Sequence, residues 1–178
     1  MSKLHIRKLD NELAELISFM TNNTWDYHTD PKPRKEQIEK AFRNGWYQED
    51  RETFWVEHDK DKIGLIIIHD ISDTIPLFDI RLADNARGKG YGKIAVSWIV
   101  DYLLSLPEKK IRIEAYTRSD NLAMRKTLSN CGFVKEGYLR QAWENNDGSV
   151  SDSVLYGMIR HDWENKAQTP IELDKLPY

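Results

Sequence analysis

The sequence lacks several features that would place it in a specialised class. Cysteine occurs once in 178 residues, at Cys131, so an internal disulfide is excluded and a reducing compartment is expected. The longest apolar run, residues 63–68, is far too short to cross a bilayer. The N-terminal residues carry no apolar signal core. We therefore expect a cytoplasmic protein with no membrane partner.

The chain also lacks an excess of charge of one sign. Its 26 basic and 29 acidic residues give a formal net charge of -3, which argues against general nucleic-acid binding. The five histidines are scattered, and no His, Cys or carboxylate cluster has the spacing of a metal site, so we predict no metal. With 40% hydrophobic and 31% charged residues, the composition is typical of a folded soluble protein.

Hydrophobic periodicity predicts a mixed α/β domain over residues 1–164 and a surface tail at 165–178. The crossover from residue 76 to residue 116 should join parallel strands in the right-handed sense. Strands are expected at residues 3–9, 53–58, 62–69, 76–83, 111–116, 133–139 and 151–160, and helices at 12–20, 34–42, 91–106 and 121–130. The buried side of the helix at 91–106 is expected to carry Ile94, Trp98, Ile99, Tyr102 and Leu103.

A glycine-rich segment, Arg87-Gly88-Lys89-Gly90-Tyr91-Gly92, follows the strand predicted at 76–83. Its glycines allow a tight turn and a close approach of the backbone to a ligand. The helix that begins near Tyr91 adds unpaired N–H groups and a positive dipole end, and the two cations add charge for a diphosphate. A strand-to-helix turn that merely uses glycine is the alternative. The segment has neither the Gly-Lys-Ser/Thr ending of a P-loop nor the spacing of a dinucleotide fingerprint.

Arg87, Gly90 and Gly92 match the Arg/Gln-x-x-Gly-x-Gly/Ala cofactor motif of the GNAT acetyltransferase superfamily, which this sequence resembles. Several later residues match the RimJ/RimL-like branch, which contains ribosomal-protein N-terminal acetyltransferases. They are Glu114-Ala115, Asn121, Gly132-Phe133, Glu136-Gly137, Arg140, Asp152, Tyr156 and Trp163.

The resemblance implies a GNAT-like mixed central sheet of about seven strands flanked by about four helices. It also implies direct transfer of an acetyl group from acetyl-CoA to a primary amine, on a protein N-terminus or on a small molecule such as an aminoglycoside or a polyamine. Dimers are common in this superfamily, so a homodimer is a further expectation.

The same resemblance implies where the cofactor binds. Backbone groups near Leu82 and Ala83 would contact the pantetheine arm, and Asn121 would contact the cofactor with its side chain. Asn121 also suits a helix N-cap, and the two roles are compatible. The N–H groups of residues 87–93 would hold the pyrophosphate, which assigns Arg87, Gly88, Lys89, Gly90, Tyr91, Gly92 and Lys93 to the cofactor site.

Two carboxylates are candidates for the group that removes a proton from the acceptor ammonium. Glu114 is the first, and a salt bridge with Arg112 or Arg118 is its alternative role. Asp79 is the second, and since it shares a strand face with Arg81, an internal ion pair is its alternative role.

Two other catalytic roles are less well defined by the sequence. The family suggests a backbone N–H near Leu82 as the oxyanion donor. Leu128 occupies the position where many GNAT enzymes carry a tyrosine acid, and nothing selects Tyr138 or Tyr156 in its place. A non-catalytic acyl-CoA-binding sensor or interaction module is therefore the alternative function.

Trp25, Tyr27 and His28 lie in the segment between the two N-terminal helices, where GNAT proteins usually shape the acceptor pocket. Their rings, with Asp26 and Asp30 nearby, could receive a cationic amine. Packing of this segment into the core is the alternative interpretation. The sequence does not identify the acceptor.

Overall fold

A computed structural model describes residues 4–172 and Lys175. Its strands are β1 (His5–Lys8), β2 (Arg51–His58), β3 (Asp61–His69), β4 (Leu77–Leu82), β5 (Arg112–Arg118), β6 (Val134–Glu144) and β7 (Val150–Ile159). Its α-helices are α1 (Leu13–Thr21), α2 (Lys35–Arg43), α3 (Tyr91–Leu104), α4 (Leu122–Asn130) and α5 (Arg160–Asn165). The seven strands form one mixed sheet in the order β1-β2-β3-β4-β5-β7-β6. The predicted mixed α/β class is confirmed.

The structure differs from the sequence prediction in a few elements. Helix α5 was not predicted, because six residues with no side-chain cap are too few to show a helical period. Strand β6 continues to Glu144, past register shifts that break its alternation. The expectation that Ile94 is buried was wrong, since its side chain is 51% exposed. Apolar residues occupy most of the circumference of α3, so periodicity did not single out the buried stripe.

Strand register divides the core into two layers. Phe54 pairs with Ile66 and packs against Trp98 of α3, with ring centroids 5.0 Å apart. Trp55 pairs with Leu65 on the opposite face and packs edge-on against Phe19 of α1, at 5.4 Å. The sheet therefore carries helices on both faces, and alternation along β4 divides its side chains between the two layers.

Strands β4 and β5 diverge toward their carboxyl ends. They run parallel, as predicted for the crossover, and pair at one register position, Leu77 opposite Glu114. The Glu114 N–H donates to the Pro76 carbonyl at 3.0 Å. No further register pair joins the two strands within the described residues. The divergence opens a gap between the end of β4 and the end of β5, next to the start of α3.

None of the helices in the described part of the chain combines the length and the apolarity needed to cross a membrane.

Glu12 forms a charge cluster that ties the start of α1 to the edge of the sheet. Arg7 donates to both of its carboxylate oxygens at 2.8 Å, Lys62 lies at 3.2 Å, and the Trp55 indole N–H donates at 3.1 Å. The hydrogen bond from Arg7 outweighs the opposing effect of burial and lowers the pKa of Glu12 to about 2.

Because this folded pKa lies below the unfolded value, the stabilisation is present above the ordinary glutamate pKa and is lost as pH falls toward 2. We expect Glu12→Gln to lower the free energy of unfolding at neutral pH by about 1–2 kcal/mol. The variant should also lose part of the decline in stability that the wild type shows below about pH 5. Urea unfolding at a series of pH values measures both effects, and identical pH slopes would contradict this account.

Candidate active site

A cavity of about 580 Å³ lies at the carboxyl end of β4 and beside the start of α3. It brings together three groups of residues that the sequence predicts separately: the glycine loop, Asn121 and the aromatic segment. The lining consists of residues 25–28 and 80–82, Arg87, Gly88, Gly90, Gly92, Lys93, Asn121, and the α4 residues Ala123, Met124, Lys126, Thr127 and Asn130. A second, more open cavity of about 620 Å³ lies between α3 and α5 and contains none of the predicted site residues.

The glycine loop has the conformation that an anion site requires. Gly88 and Gly90 adopt φ values of 73° and 85°, in the left-handed region that side chains avoid. A Cβ atom built at either position would meet nothing within 4 Å, so the space beside the backbone is open. Gly90 directly precedes α3, whose first N–H groups have no partner within the helix. The loop can therefore present backbone donors to a diphosphate.

Lysines supply the charge at this end of the cavity. Lys93 lies in the first turn of α3 and Lys126 lies on α4, and both line the cavity. Lys126 was not predicted, because it lies five positions after Asn121, outside the spacings of three and four residues that bring helix side chains together. Lys89 and Tyr91 are absent from the described lining, and the Tyr91 ring lies 5.2 Å from that of His58.

Arg87 lies at the cavity wall, but its side-chain nitrogens bond to other residues of the protein. Its Nε donates to the Leu82 carbonyl at 3.0 Å, and its Nη1 pairs with Asp84 at 2.9 Å. Its Nη2 donates to the Thr24 carbonyl. The guanidinium thus joins the glycine loop to the aromatic segment.

The end of β4 offers a backbone donor to the gap beside β5. The Ala83 N–H donates to the Ile63 carbonyl at 2.9 Å, so Ala83 directs its backbone toward β3. Since alternate residues of a strand direct their N–H groups to opposite edges, Leu82 directs its own toward the gap. Of the two predicted pantetheine contacts, Leu82 lines the cavity, whereas the N–H of Ala83 is hydrogen-bonded to β3.

Asn121 is a helix cap and a cavity residue at once. Its Oδ1 accepts a hydrogen bond from the Met124 N–H at 3.1 Å, which caps α4. The described hydrogen bonds leave its Nδ2 group unused, and the residue lines the cavity. The two roles offered by the sequence are therefore compatible in the structure.

The aromatic segment packs into the core and lines the cavity as well. Trp25 is 1% exposed, and its indole N–H donates to the Met20 carbonyl at 2.8 Å. The guanidinium of Arg81 lies 5.4 Å from the centre of the Trp25 ring, and that of Arg87 lies 5.5 Å from it. Arg118 lies 5.4 Å from the centre of the Tyr27 ring. Arginines of the protein therefore already make the cation–π contacts that the sequence suggested for an amine.

Asp79 lies behind the cavity wall in a charge cluster. Its Oδ1 lies 2.8 Å from His28 Nε2, and its Oδ2 accepts from Arg81 Nε at 3.2 Å. Burial alone would raise the pKa of Asp79, but His28 and Arg81 hold it well below the usual range. Asp79 is absent from the described lining, whereas both of its partners belong to it. The ion pair with Arg81 that the sequence offered as an alternative is present.

Glu114 is also engaged and also lies outside the described lining of the cavity. Arg112 Nε donates to its Oε1 at 2.8 Å, and the Tyr116 hydroxyl donates to its Oε2 at 2.9 Å. Arg112 also contacts Glu136, at 2.5 and 3.2 Å. Both oxygens of Glu114 thus have a partner.

Neither tyrosine considered for the acid role lines the cavity. Tyr156 is 4% exposed within the core, whereas Tyr138 is 61% exposed on β6. Leu128, at the position of the family's tyrosine, is fully buried. Within residues 4–172 and Lys175, no group of three or more His, Cys, Asp or Glu side chains could hold a metal ion.

The family model described as the acetyltransferase (GNAT) domain matches residues 3–134, about three quarters of the chain. The comparison with curated protein sequences found no significant match.

Several solved structures share the fold. A spermidine N-acetyltransferase from Vibrio cholerae in complex with CoA and spermine has a TM-score of 0.79 at 22% identity, over 91% of this chain and 98% of that one. A chimera of the Vibrio cholerae enzyme SpeG and hSSAT also has a TM-score of 0.79 at 22% identity, over 92% and 99%. A dodecameric form of the Vibrio cholerae enzyme has 0.75 at 21%, over 93% and 98%. At this identity the likeness establishes the fold and leaves the acceptor open.

Proposed function

The chain belongs to the GNAT acetyltransferase domain family and is an acetyl-CoA-dependent N-acetyltransferase, and on that premise we propose that its 580 Å³ cavity holds acetyl-CoA and a primary amine side by side. The amine attacks the thioester carbonyl directly, the C–N bond forms as the C–S bond breaks, and CoA leaves as the thiolate. The single observation that carries this proposal is one cavity lined both by the glycine loop and by the aromatic segment.

The cofactor end of the cavity is proposed to lie at the glycine loop. The N–H groups from Gly88 to Lys93 would hold the pyrophosphate, and Lys93 and Lys126 would add charge. Asn121 Nδ2 would donate to the pantetheine arm. The Leu82 N–H, which points into the gap beside β5, is the proposed donor to the developing oxyanion.

The acceptor end is proposed to lie at residues 25–28. Asp26 is the one carboxylate among the described lining residues, and it is exposed, so it can receive an ammonium group. Leu82 and Ile80 supply apolar wall beside the thioester. The proposed acceptor is a primary amine, on a protein N-terminus or on a small molecule. The RimJ/RimL-like branch assignment rests on sequence motifs alone and stays a prediction.

We propose that Glu114 accepts the proton of the amine through water, since its oxygens lie outside the cavity lining. Asp79 is the weaker candidate, because its lowered pKa makes it a poor proton acceptor and a general base works best when its pKa is near the working pH.

Glu114→Gln should lower kcat by about a hundredfold, with little change in the dissociation constant of acetyl-CoA. The loss should be greatest at low pH, where more of the amine is charged. Glu136→Gln is the matched control, since Glu136 is the other carboxylate that Arg112 contacts. If kcat falls equally in both variants, Glu114 stabilises the charge cluster around Arg112 and does not accept the proton of the amine.

A thiol-release assay with an amine panel tests the proposed function. The panel holds a peptide with a free N-terminus, spermidine, spermine and an aminoglycoside, each with acetyl-CoA at saturation. We expect amine-dependent release of CoA with at least one of them and a mass increase of one acetyl group on that amine. Tight binding of acetyl-CoA with no acetylated amine would favour a sensor of acyl-CoA instead.

We further propose that the chain self-associates, as the family resemblance implies and as a dodecameric structure of similar fold illustrates. Light scattering on the purified protein would measure its mass in solution. A single species at the 20.9 kDa of one chain would contradict this proposal.

A further inference from the structure

Residues 23–28, which we name the acceptor strap, cross the open end of the gap between β4 and β5. The strap lines the cavity from Trp25 to His28. It has no helical or strand structure of its own. The buried Trp25 and the contact of His28 with Asp79 anchor it to the core, and two further sets of side chains fasten it. These side chains lie at the carboxyl ends of both strands.

Asp84 fastens the strap at the end of β4. The Thr24 N–H and hydroxyl donate to Asp84 Oδ1 at 3.3 and 3.2 Å, and the Asp84 N–H donates to Asn23 Oδ1 at 2.9 Å. Arg87 bonds to both Asp84 and Thr24: to the Asp84 carboxylate at 2.9 Å and to the Thr24 carbonyl. Asp84 itself is absent from the described cavity lining.

Arg118 fastens the strap at the end of β5. Its Nη1 donates to the Asp26 carbonyl at 3.1 Å and to Asn145 Oδ1 at 3.2 Å. Its guanidinium also lies over the Tyr27 ring. Asp120 binds its other nitrogens at 2.7 and 3.1 Å and fixes the direction of the group. Like Asp84, Arg118 is absent from the described lining.

These two fastenings hold the strap from opposite sides of the gap. We infer that Asp84 and Arg118 are positioning residues for the acceptor amine, acting through residues 23–28 and touching neither substrate. The inference rests on the proposed function, because it takes the strap as the acceptor wall. The position of the strap then sets amine affinity, while the cofactor keeps its own contacts on the other side of the cavity.

Steady-state kinetics on Asp84→Ala and Arg118→Ala tests this inference. We expect each variant to raise the KM of the amine about tenfold. Arg118→Ala, which leaves the ion pair of Asp84 with Arg87 intact, should change kcat and the dissociation constant of acetyl-CoA by less than about twofold. Asp84→Asn keeps an oxygen for Thr24 and should restore most of the affinity. Glu164→Gln, which removes an exposed ion pair with Arg160 on α5, is the control.

Hydrogen exchange measured by mass spectrometry on peptides that cover residues 23–28 supplies a second readout. Exchange there should become faster in Asp84→Ala and Arg118→Ala than in the wild type and in Glu164→Gln. An unchanged KM for the amine together with unchanged exchange overturns the inference, as does an equal loss of acetyl-CoA affinity in Arg118→Ala. If the wild type acetylates no amine, the proposed function fails, and exchange alone decides whether the two residues fasten the strap.

Discussion

Gly90→Val is expected to weaken the binding of acetyl-CoA by at least about a hundredfold, or about 2.7 kcal/mol. Valine at a φ of 85° is strained by about 1–2 kcal/mol, which should move the loop and turn its N–H groups away from the pyrophosphate. The valine side chain would also occupy open space beside the loop. Isothermal titration calorimetry measures the affinity, and thermal unfolding measures the fraction folded.

Gly148→Val is the matched control for this prediction. Gly148 has a φ of 80° and, like Gly90, nothing within 4 Å of an added Cβ atom, but it lies in the turn between β6 and β7. Strain should lower the stability of Gly148→Val about as much as that of Gly90→Val. The affinity of Gly148→Val for acetyl-CoA should stay at the wild-type value. Equal affinity in the two variants would refute the assignment of the glycine loop.

Asp79→Asn is expected to lower the free energy of unfolding by about 2–3 kcal/mol. The substitution removes a negative charge that pairs with Arg81 and His28. Both partners lie within hydrogen-bond distance of the Asp79 carboxylate. Arg81 would then keep its charge in a half-buried site with its carboxylate partner gone. Since both partners line the cavity, the KM of the amine should rise as well.

The pH dependence separates this effect from general damage to the fold. The pKa of Asp79 is lowered in the folded state, so its stabilisation is present above the ordinary aspartate pKa of about 3.9 and is lost only as pH falls well below that value. Between about pH 5 and 8 the stability difference between wild type and Asp79→Asn should therefore be constant. Denaturant unfolding at three pH values in this range tests it, and a difference of less than 0.5 kcal/mol, roughly the size of a neutral surface substitution, would contradict the account.

Local signals made much of this site predictable from the sequence. The conformation of the glycine loop is determined locally, because positive φ angles favour glycine. The unpaired N–H groups at the start of a helix likewise arise without contacts to distant parts of the chain. Asn121 likewise caps the helix that begins next to it. The sequence offered a salt bridge of Glu114 with Arg112 or Arg118, and the structure has the one with Arg112, two positions away on the same strand.

Contacts between distant segments could not be predicted in the same way. Nothing local to Arg87 indicates that it reaches Thr24, 63 positions earlier, and Asp84 reaches the same segment. The sequence left open whether the rings of Trp25 and Tyr27 receive an amine or pack into the core, and tertiary packing places arginines over both. Helix α5 was missed because a six-residue helix shows no period.

The central claim is that one cavity holds the pyrophosphate on the glycine loop and the acetyl group beside the strap. A crystal structure of the protein with CoA tests it most directly. We predict pyrophosphate oxygens within about 3 Å of the N–H groups between Gly88 and Lys93, with the thiol in the gap between β4 and β5. Binding of CoA in the cavity between α3 and α5, with the glycine loop unoccupied, would contradict the account.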